Sequence, residues 1–192
     1  MSARVRTWVG AGVIALWAPI ALLITGSVML SHVVAMPDPD PDAHARLLAA
    51  YQVDEGVVHV ISMGCSCTTG LLDHLGARGR LPERRETVFL IGAADEPARR
   101  LTERGYEVHV LPRDRAEGEL GLDVAPVLIV FADDGAMAWR GGYFAVPAAN
   151  DPLDDEVIAA VDAGEAPASL PVFGCAVDPA LRRQLDPLGL TQ

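Results

Sequence analysis

Two of the three cysteines in this chain, Cys65 and Cys67, are separated by a single residue. They follow a β-branched apolar run at 57–61 and precede a helical pattern at 68–78, so they occupy a strand–helix junction. The first turn of a helix has free N–H groups and a partial positive charge, which stabilise a thiolate and lower the pKa of its cysteine. Because the thiolate is the species that attacks disulfides, this position predicts redox-active cysteines.

The spacing of the two cysteines restricts their geometry. Helical residues two positions apart point to nearly opposite sides, so we expect Cys65 in the loop and Cys67 at or just inside the helix start. A disulfide between them would close a tight ring whose strain makes it reducible, as in an oxidant or isomerase centre. The alternative is that both cysteines are small buried apolar residues without chemistry.

Two residues farther along the chain are candidates for the same chemistry. His59 lies on the predicted strand six positions before Cys65, where an imidazole could handle protons near neutral pH. The alternative is a core histidine bonded to the backbone. Cys175 lies in a Pro-rich tail that could fold back over the cysteine motif and supply a resolving thiol. It could equally be a free buried cysteine.

The same residues allow a different reading as a copper site. Cys65 and Cys67, with Met63 and His59 nearby, form a set of soft ligands suited to Cu(I). Met63 is otherwise explained as a packing residue. No other cofactor is expected, because the sequence contains no flavin or nicotinamide motif.

The elements that must position these residues alternate between strand and helix. Apolar periodicity predicts strands at 57–61, 87–91, 106–111, 127–131 and 136–140, and helices at 43–52, 68–78, 95–105 and 151–162. The segment 113–122 is predicted as a loop with a helical turn. The order implies an α/β fold with a mostly parallel central sheet, helices on both faces, and a closing hairpin that makes the sheet mixed.

This order of elements resembles the thioredoxin superfamily, in which the cysteine motif follows the first core strand. A second match is Pro126, at the start of the strand that leads through Asp133-Asp134-Gly135 into the closing hairpin. The resemblance covers residues 55–163. It implies a thioredoxin-like fold, thiol–disulfide exchange, and a cis-proline at Pro126 that faces the cysteines. It also implies that the backbone before Pro126 pairs with bound peptide, and that His59 replaces a buried acid.

The motif departs from that family in ways that argue against an ordinary thioredoxin. The usual Cys-x-x-Cys is replaced by Cys65-Ser66-Cys67, so Thr68 takes the usual second position, and Gly64 replaces an aromatic residue. Periplasmic thioredoxin-like proteins with Cys-x-Cys and a late Gly-Cys are more similar. Because thioredoxin-like folds also host Cu(I) sites, a metallochaperone is one alternative function, and a non-catalytic binding module is another.

The amino terminus is predicted to be a membrane anchor. Residues 8–35 carry no charged side chain, and the apolar part from Val9 to Leu30 is about as long as the 20 residues that span a bilayer. Arg4 and Arg6 precede it and acidic residues follow it, which places the chain after residue 36 outside the cytoplasm. We therefore expect a single-pass protein of the bacterial inner membrane with its domain in the periplasm. The alternative is a cleaved signal peptide.

Composition limits the remaining possibilities. The chain has 192 residues and a formal net charge of -11, which argues against a nucleic-acid partner. Its organisation is predicted as an anchor at 1–36, a linker and helix at 37–54, the α/β domain at 55–163 and a Pro-rich extension at 164–192. The expected partners are periplasmic or membrane protein thiols, together with a membrane or periplasmic electron donor.

Overall fold

The computed structural model describes residues 3–65, 67–147, 149 and 151–185, without the side chains of 3–7, 9–11, 27–33 and 67. The described helices are α1 (Ala3–Val33), α2 (Pro41–Tyr51), α3 (Cys67–Arg78), α4 (Asp95–Glu103), α5 (Asp154–Asp162) and α6 (Pro179–Leu185). The described strands are β1 (Val57–Ser62), β2 (Glu86–Ile91), β3 (Glu107–Leu111), β4 (Val124–Ala125), β5 (Val127–Phe131), β6 (Met137–Gly141) and β7 (Cys175–Ala176).

A five-stranded sheet in the order β3-β2-β1-β5-β6 forms the centre of the fold. The strands β1, β2 and β3 are parallel, whereas β5 runs antiparallel to β1 and β6 antiparallel to β5. The predicted α/β fold with a mixed sheet is therefore confirmed. The sheet is less parallel than predicted, because the strand at 127–131 enters beside β1 in the opposite direction.

Both faces of the sheet are covered, which explains why β1, β2 and β5 are buried at every position. On one face α3, α4 and α5 contribute apolar side chains such as Leu75, Leu101 and Ile158. On the other face α2 and the carboxyl-terminal tail pack, with Leu47 and Val177 among the buried residues. The helix before the sheet and the tail after it thus share a core with the domain predicted at 55–163.

Several boundaries differ from the sequence prediction for local reasons. The helix α2 starts at Pro41 rather than residue 43, because Asp40 accepts a hydrogen bond from the Asp42 amide at 2.9 Å and proline suits the first helical turn. The helix predicted from residue 151 begins at Asp154. The segment predicted as a loop contains a π-helical turn at Arg115–Glu119. The strands β4 and β7 were not predicted, because two-residue strands have no detectable period.

The helix α1 precedes this domain and contains Pro19. Its described large apolar side chains, among them Trp8, Trp17 and Leu22, are exposed. Part of the predicted membrane segment at 8–35 falls on side chains outside the described set. Among the residues that the structure describes, no helix meets the length and hydropathy needed to cross a bilayer.

Candidate functional site

A disulfide joins Cys65 to Cys175, whose Cα atoms lie 5.9 Å apart across 110 residues of sequence. Cys65 is 6% exposed, whereas Cys175 is half-buried. The tail therefore folds back to the cysteine motif, as one of the two sequence hypotheses for Cys175 required. The bond in this structure differs from the expected Cys65–Cys67 ring. The side chain of Cys67 lies outside the described residues.

The loop between β1 and α3 holds Cys65 just before a helix. The Thr68 hydroxyl donates to the carbonyl of Ser62 at 2.6 Å, and the Thr68 amide donates to the carbonyl of Cys65 at 3.1 Å. Thr68 thus closes the turn that follows Cys65. Because α3 begins at Cys67, Cys65 lies beside the positive end of that helix, an environment that favours its thiolate.

Arg113 is a feature of this site that the sequence analysis missed. A Cβ placed on Gly64 would lie 2.8 Å from Arg113 Nη2, so the guanidinium rests against the backbone next to Cys65. Its carboxylate neighbour is Glu117, at 3.7 Å. The sequence did contain a signal for this contact. Arg113 follows β3 as Gly64 follows β1, and the carboxyl ends of parallel strands meet at one edge of a sheet.

The strand β7 places Cys175. It pairs antiparallel with β4, which aligns Ala125 with Cys175, and the amides of Val177 and Asp178 donate to the carbonyl of Asp123 at 2.7 and 3.0 Å. Gly174 precedes this strand and lies against the carbonyl oxygen of Ala125, with no room for a Cβ. The tail is therefore held against β4 by backbone pairing and close packing as well as by the disulfide.

Pro126 lies between β4 and β5, and the Ala125–Pro126 peptide bond is cis, as the resemblance implied. Its ring is close enough to Gly174 that a Cβ there would contact Cδ at 2.5 Å. The resemblance also implied that the backbone before Pro126 pairs with bound peptide. In this structure the chain's own strand β7 pairs with that backbone.

His59 lies in a buried network of side chains, whereas one of the two alternatives had it bonded to the backbone. Its Nδ1 is 2.7 Å from the Tyr143 hydroxyl and its Nε2 is 3.0 Å from Glu86 Oε2. Arg78 donates to both oxygens of Glu86 and to Asp154, at distances of 2.8–3.2 Å. We call these five residues the His59 network. Both ring nitrogens of His59 are engaged by side chains other than those of the cysteines.

The electrostatics of the His59 network keep its carboxylate and guanidinium charged. Burial alone raises the pKa of Glu86, but hydrogen bonds from His59 and Arg78 outweigh it and lower that pKa to about 2. Burial opposes the charge of Arg78, yet its hydrogen bonds with Glu86 raise the pKa of the guanidinium. Burial also raises the pKa of the Tyr143 hydroxyl, which stays protonated. The network is a paired charge cluster that ties α3 and α5 to the sheet.

Several further polar and aromatic side chains lie near the His59 network or in the core beside it. His74 Nε2 lies 2.9 Å from Asp154 Oδ1, so it adjoins the His59 network. Met63 packs partly buried against the core beside α3. Trp139, Tyr143 and Phe144 are buried in the core that α3, α4 and α5 form with the sheet. Within the described part of the chain, no group of three or more His, Cys, Asp or Glu side chains is placed to hold a metal.

No protein-family model matches the chain, and no curated protein matches it. Two solved structures are similar at 17% identity. One is an uncharacterized conserved protein from Geobacillus kaustophilus, with a TM-score of 0.46, covering 66% of this chain and 80% of that chain. The other is a hypothetical protein from Sinorhizobium meliloti 1021, with a TM-score of 0.41, covering 76% of this chain and 92% of that chain.

Proposed function

We propose that this protein is a thiol–disulfide oxidoreductase with a thioredoxin-like fold. The observation that carries the proposal is the Cys65–Cys175 disulfide, with one cysteine beside the start of α3. A helix start and the Arg113 guanidinium favour the Cys65 thiolate, which makes it a reactive thiol and a good leaving group. The substrates are protein thiols and disulfides, and the reaction needs no resident cofactor.

The catalytic pair in this proposal is Cys65 and Cys175, with Cys67 as a third thiol. Exchange breaks one sulfur–sulfur bond and forms another, so the protein alternates between a disulfide and two thiols while its partner changes in the opposite sense. Pro126 positions Cys175 through its contact with Gly174. His59 has a supporting role, because its ring nitrogens are engaged by Tyr143 and Glu86.

The proposal includes a location for the domain, argued from the amino terminus. We propose that α1, whose described large apolar side chains are exposed, anchors the domain to the membrane, with Arg4 and Arg6 on the cytoplasmic side. The proposal therefore places the domain in the bacterial periplasm, anchored to the inner membrane. Disulfides persist in that compartment. A membrane or periplasmic donor would renew the reduced form.

The proposal is tested by exchange with a protein disulfide such as that of insulin. We expect the reduced protein to accelerate insulin reduction by a dithiol, and Cys65→Ser and Cys175→Ser each to abolish the acceleration. The control is Ser169→Ala, because Ser169 belongs to the same tail and donates only to the carbonyl of Arg140. No acceleration by the wild-type chain would contradict the proposal. A Cu(I) competition titration on the reduced chain tests the alternative function as a metallochaperone, in which Cys65 and Cys67 would be the ligands.

A further inference from the structure

We propose that Cys175, the tail cysteine, is the one that bonds to the partner during exchange, and that Cys65 is the internal thiol that leaves and returns. This inference rests on the proposed function and adds which sulfur of the disulfide is attacked and which one leaves. The first argument is access. Cys65 is 6% exposed, whereas Cys175 is half-buried, so an external thiolate reaches the Cys175 sulfur more readily.

The second argument is the leaving group. In exchange, the sulfur of lower thiol pKa leaves faster. Cys65 precedes α3, and the Arg113 guanidinium lies against the preceding residue, Gly64; a helix start and a nearby cation both stabilise a thiolate. Glu117 lies near both guanidinium groups, but it is closer to Arg182 on the tail side, at 2.7 Å, than to Arg113, at 3.7 Å, and Arg182 also donates to the carbonyl of Val177 at 2.6 Å. Both effects direct attack to Cys175 with departure of the Cys65 thiolate.

The third argument is that the tail stays docked when the disulfide opens. Val172, Ala176 and Val177 are buried, and the backbone of β7 is hydrogen-bonded to β4 and Asp123 independently of the disulfide. Burial of the two valines away from water stabilises the docked tail without help from the disulfide. The Cys65 thiolate therefore stays near Cys175 and can attack it in a second step at high effective concentration.

The steps balance in both directions. A partner thiolate attacks the Cys175 sulfur, the Cys65–Cys175 bond breaks, and its electron pair goes to Cys65. A second partner thiolate then attacks the partner sulfur of the mixed disulfide and releases the Cys175 thiolate. The partner is oxidised to a disulfide and the protein is reduced to two thiols. In reverse, Cys175 attacks a partner disulfide and Cys65 resolves the mixed disulfide, releasing the second partner thiolate.

The covered edge of β4 restricts the partners. Because β7 already pairs with Val124 and Ala125, a partner cannot add a strand there while the tail is docked. The site therefore suits thiols on flexible exposed segments of a polypeptide, or small thiols, in place of an extended peptide bound through its backbone.

The test locates the first mixed disulfide. Oxidised Cys67→Ser protein, which keeps only the two bonded cysteines, is mixed with glutathione, quenched with acid at short times, alkylated and mapped by mass spectrometry. We expect glutathione on Cys175 and the alkyl group on Cys65, in roughly tenfold excess over the reverse pattern at the earliest times. Glutathione mainly on Cys65 would show that Cys65 is the attacked sulfur. That result would overturn this inference while leaving the proposed function intact.

A second variant checks the leaving-group argument. Arg113→Gln should slow the opening of the disulfide several-fold and reduce the excess of label on Cys175. Arg99→Gln is the control, because among the described residues Arg99 forms its ion pair with Glu103, and both side chains are exposed on α4. An unchanged rate in Arg113→Gln would overturn the electrostatic part of the inference. A disulfide that no thiol opens would contradict the proposed function itself.

Discussion

Gly174 lies so close to the carbonyl of Ala125 that a side chain would displace β7. We expect Gly174→Ala to destabilise the folded protein by about 1–3 kcal/mol, the usual cost of overpacking. We also expect it to slow formation of the Cys65–Cys175 disulfide. Thiol counting during reoxidation and denaturant unfolding measure the two effects. Gly70→Ala is the control, because a Cβ on this helical glycine meets no neighbouring atom. Equal behaviour of the two variants would contradict the role of Gly174.

His44 is a buried histidine whose ring nitrogens have no hydrogen-bond partner among the described residues. Burial and the nearby charge of Arg140 lower its pKa from 6.5 to about 4, although Asp40 acts in the opposite direction. The unfolded chain therefore binds a proton that the folded chain excludes. The contribution of neutral His44 to the free energy of unfolding is fully present above pH 6.5. It is lost as the pH is lowered towards 4, and the loss amounts to at most about 3 kcal/mol.

The measurement is the free energy of unfolding as a function of pH. Between pH 4.5 and 6.5 His44 titrates in a window separate from that of Glu86, whose stabilisation is lost only as the pH falls from 4.5 towards about 2. We expect His44→Leu to reduce the pH dependence in the upper window. An identical slope in the wild-type and variant proteins there would show that His44 does not cause it.

Among the structural elements, α3 makes important contacts at both of its ends. Its amino-terminal end adjoins Cys65, and its last turn carries Arg78, which bonds Glu86 of β2 and Asp154 of α5. A buried ion pair adds little net stability when complete, but removing one partner leaves an uncompensated charge. The His59 network therefore fixes the orientation of the helix whose amino terminus adjoins Cys65.

This dependence predicts a large effect of Arg78→Met. The buried carboxylates of Glu86 and Asp154 would lose their shared cation, and we expect a loss of about 3–5 kcal/mol in the free energy of unfolding. Arg99→Met, which removes an exposed pair with Glu103, should cost less than about 0.5 kcal/mol. Denaturant unfolding compares the two variants. A difference below about 1 kcal/mol would show that Arg78 is dispensable.

The tail is the element whose docking decides the proposed chemistry. Val177 is 0% exposed, and its amide donates to the carbonyl of Asp123. We expect Val177→Asp to undock β7, because burying an unpaired charge is costly, and hence to make Cys175 react with alkylating agents as an exposed thiol. Ala180→Asp, at an exposed position of α6, is the control. Reduced wild-type protein should retain slow hydrogen exchange at residues 176–178. Fast exchange there would contradict a docked reduced tail.

For the whole molecule, the main prediction concerns topology. A reporter active only outside the cytoplasm, fused after Gln192, should be active in cells and should sediment with membranes. Charges placed in the apolar part of α1, as in Leu16→Arg with Leu22→Arg, should release it from the membrane fraction, because each arginine costs several kcal/mol at a bilayer centre. Activity of a strictly cytoplasmic reporter at the same site would contradict the proposed orientation.

The sequence by itself determined most elements and the position of the cysteine motif. Continuous apolar runs such as Val127–Phe131 predict buried strands, and the leucines of α3 repeat at helical spacing, because burial of one face imposes a period on the residues. These local patterns correctly indicated the α/β fold and a strand–helix junction at Cys65. They also singled out Cys175, and the family resemblance singled out Pro126, although neither could decide which cysteines bond.

Only the tertiary structure decided the bond itself, because it depends on where residues 110 positions apart meet in space. The pairing of β7 with β4 has no sequence period, since each strand has two residues. The approach of Arg113 to Gly64 depends on how β3 and β1 end at one sheet edge. Likewise, the partners of His59 come from β2 and from the segment after β6, and no spacing along the chain brings them together.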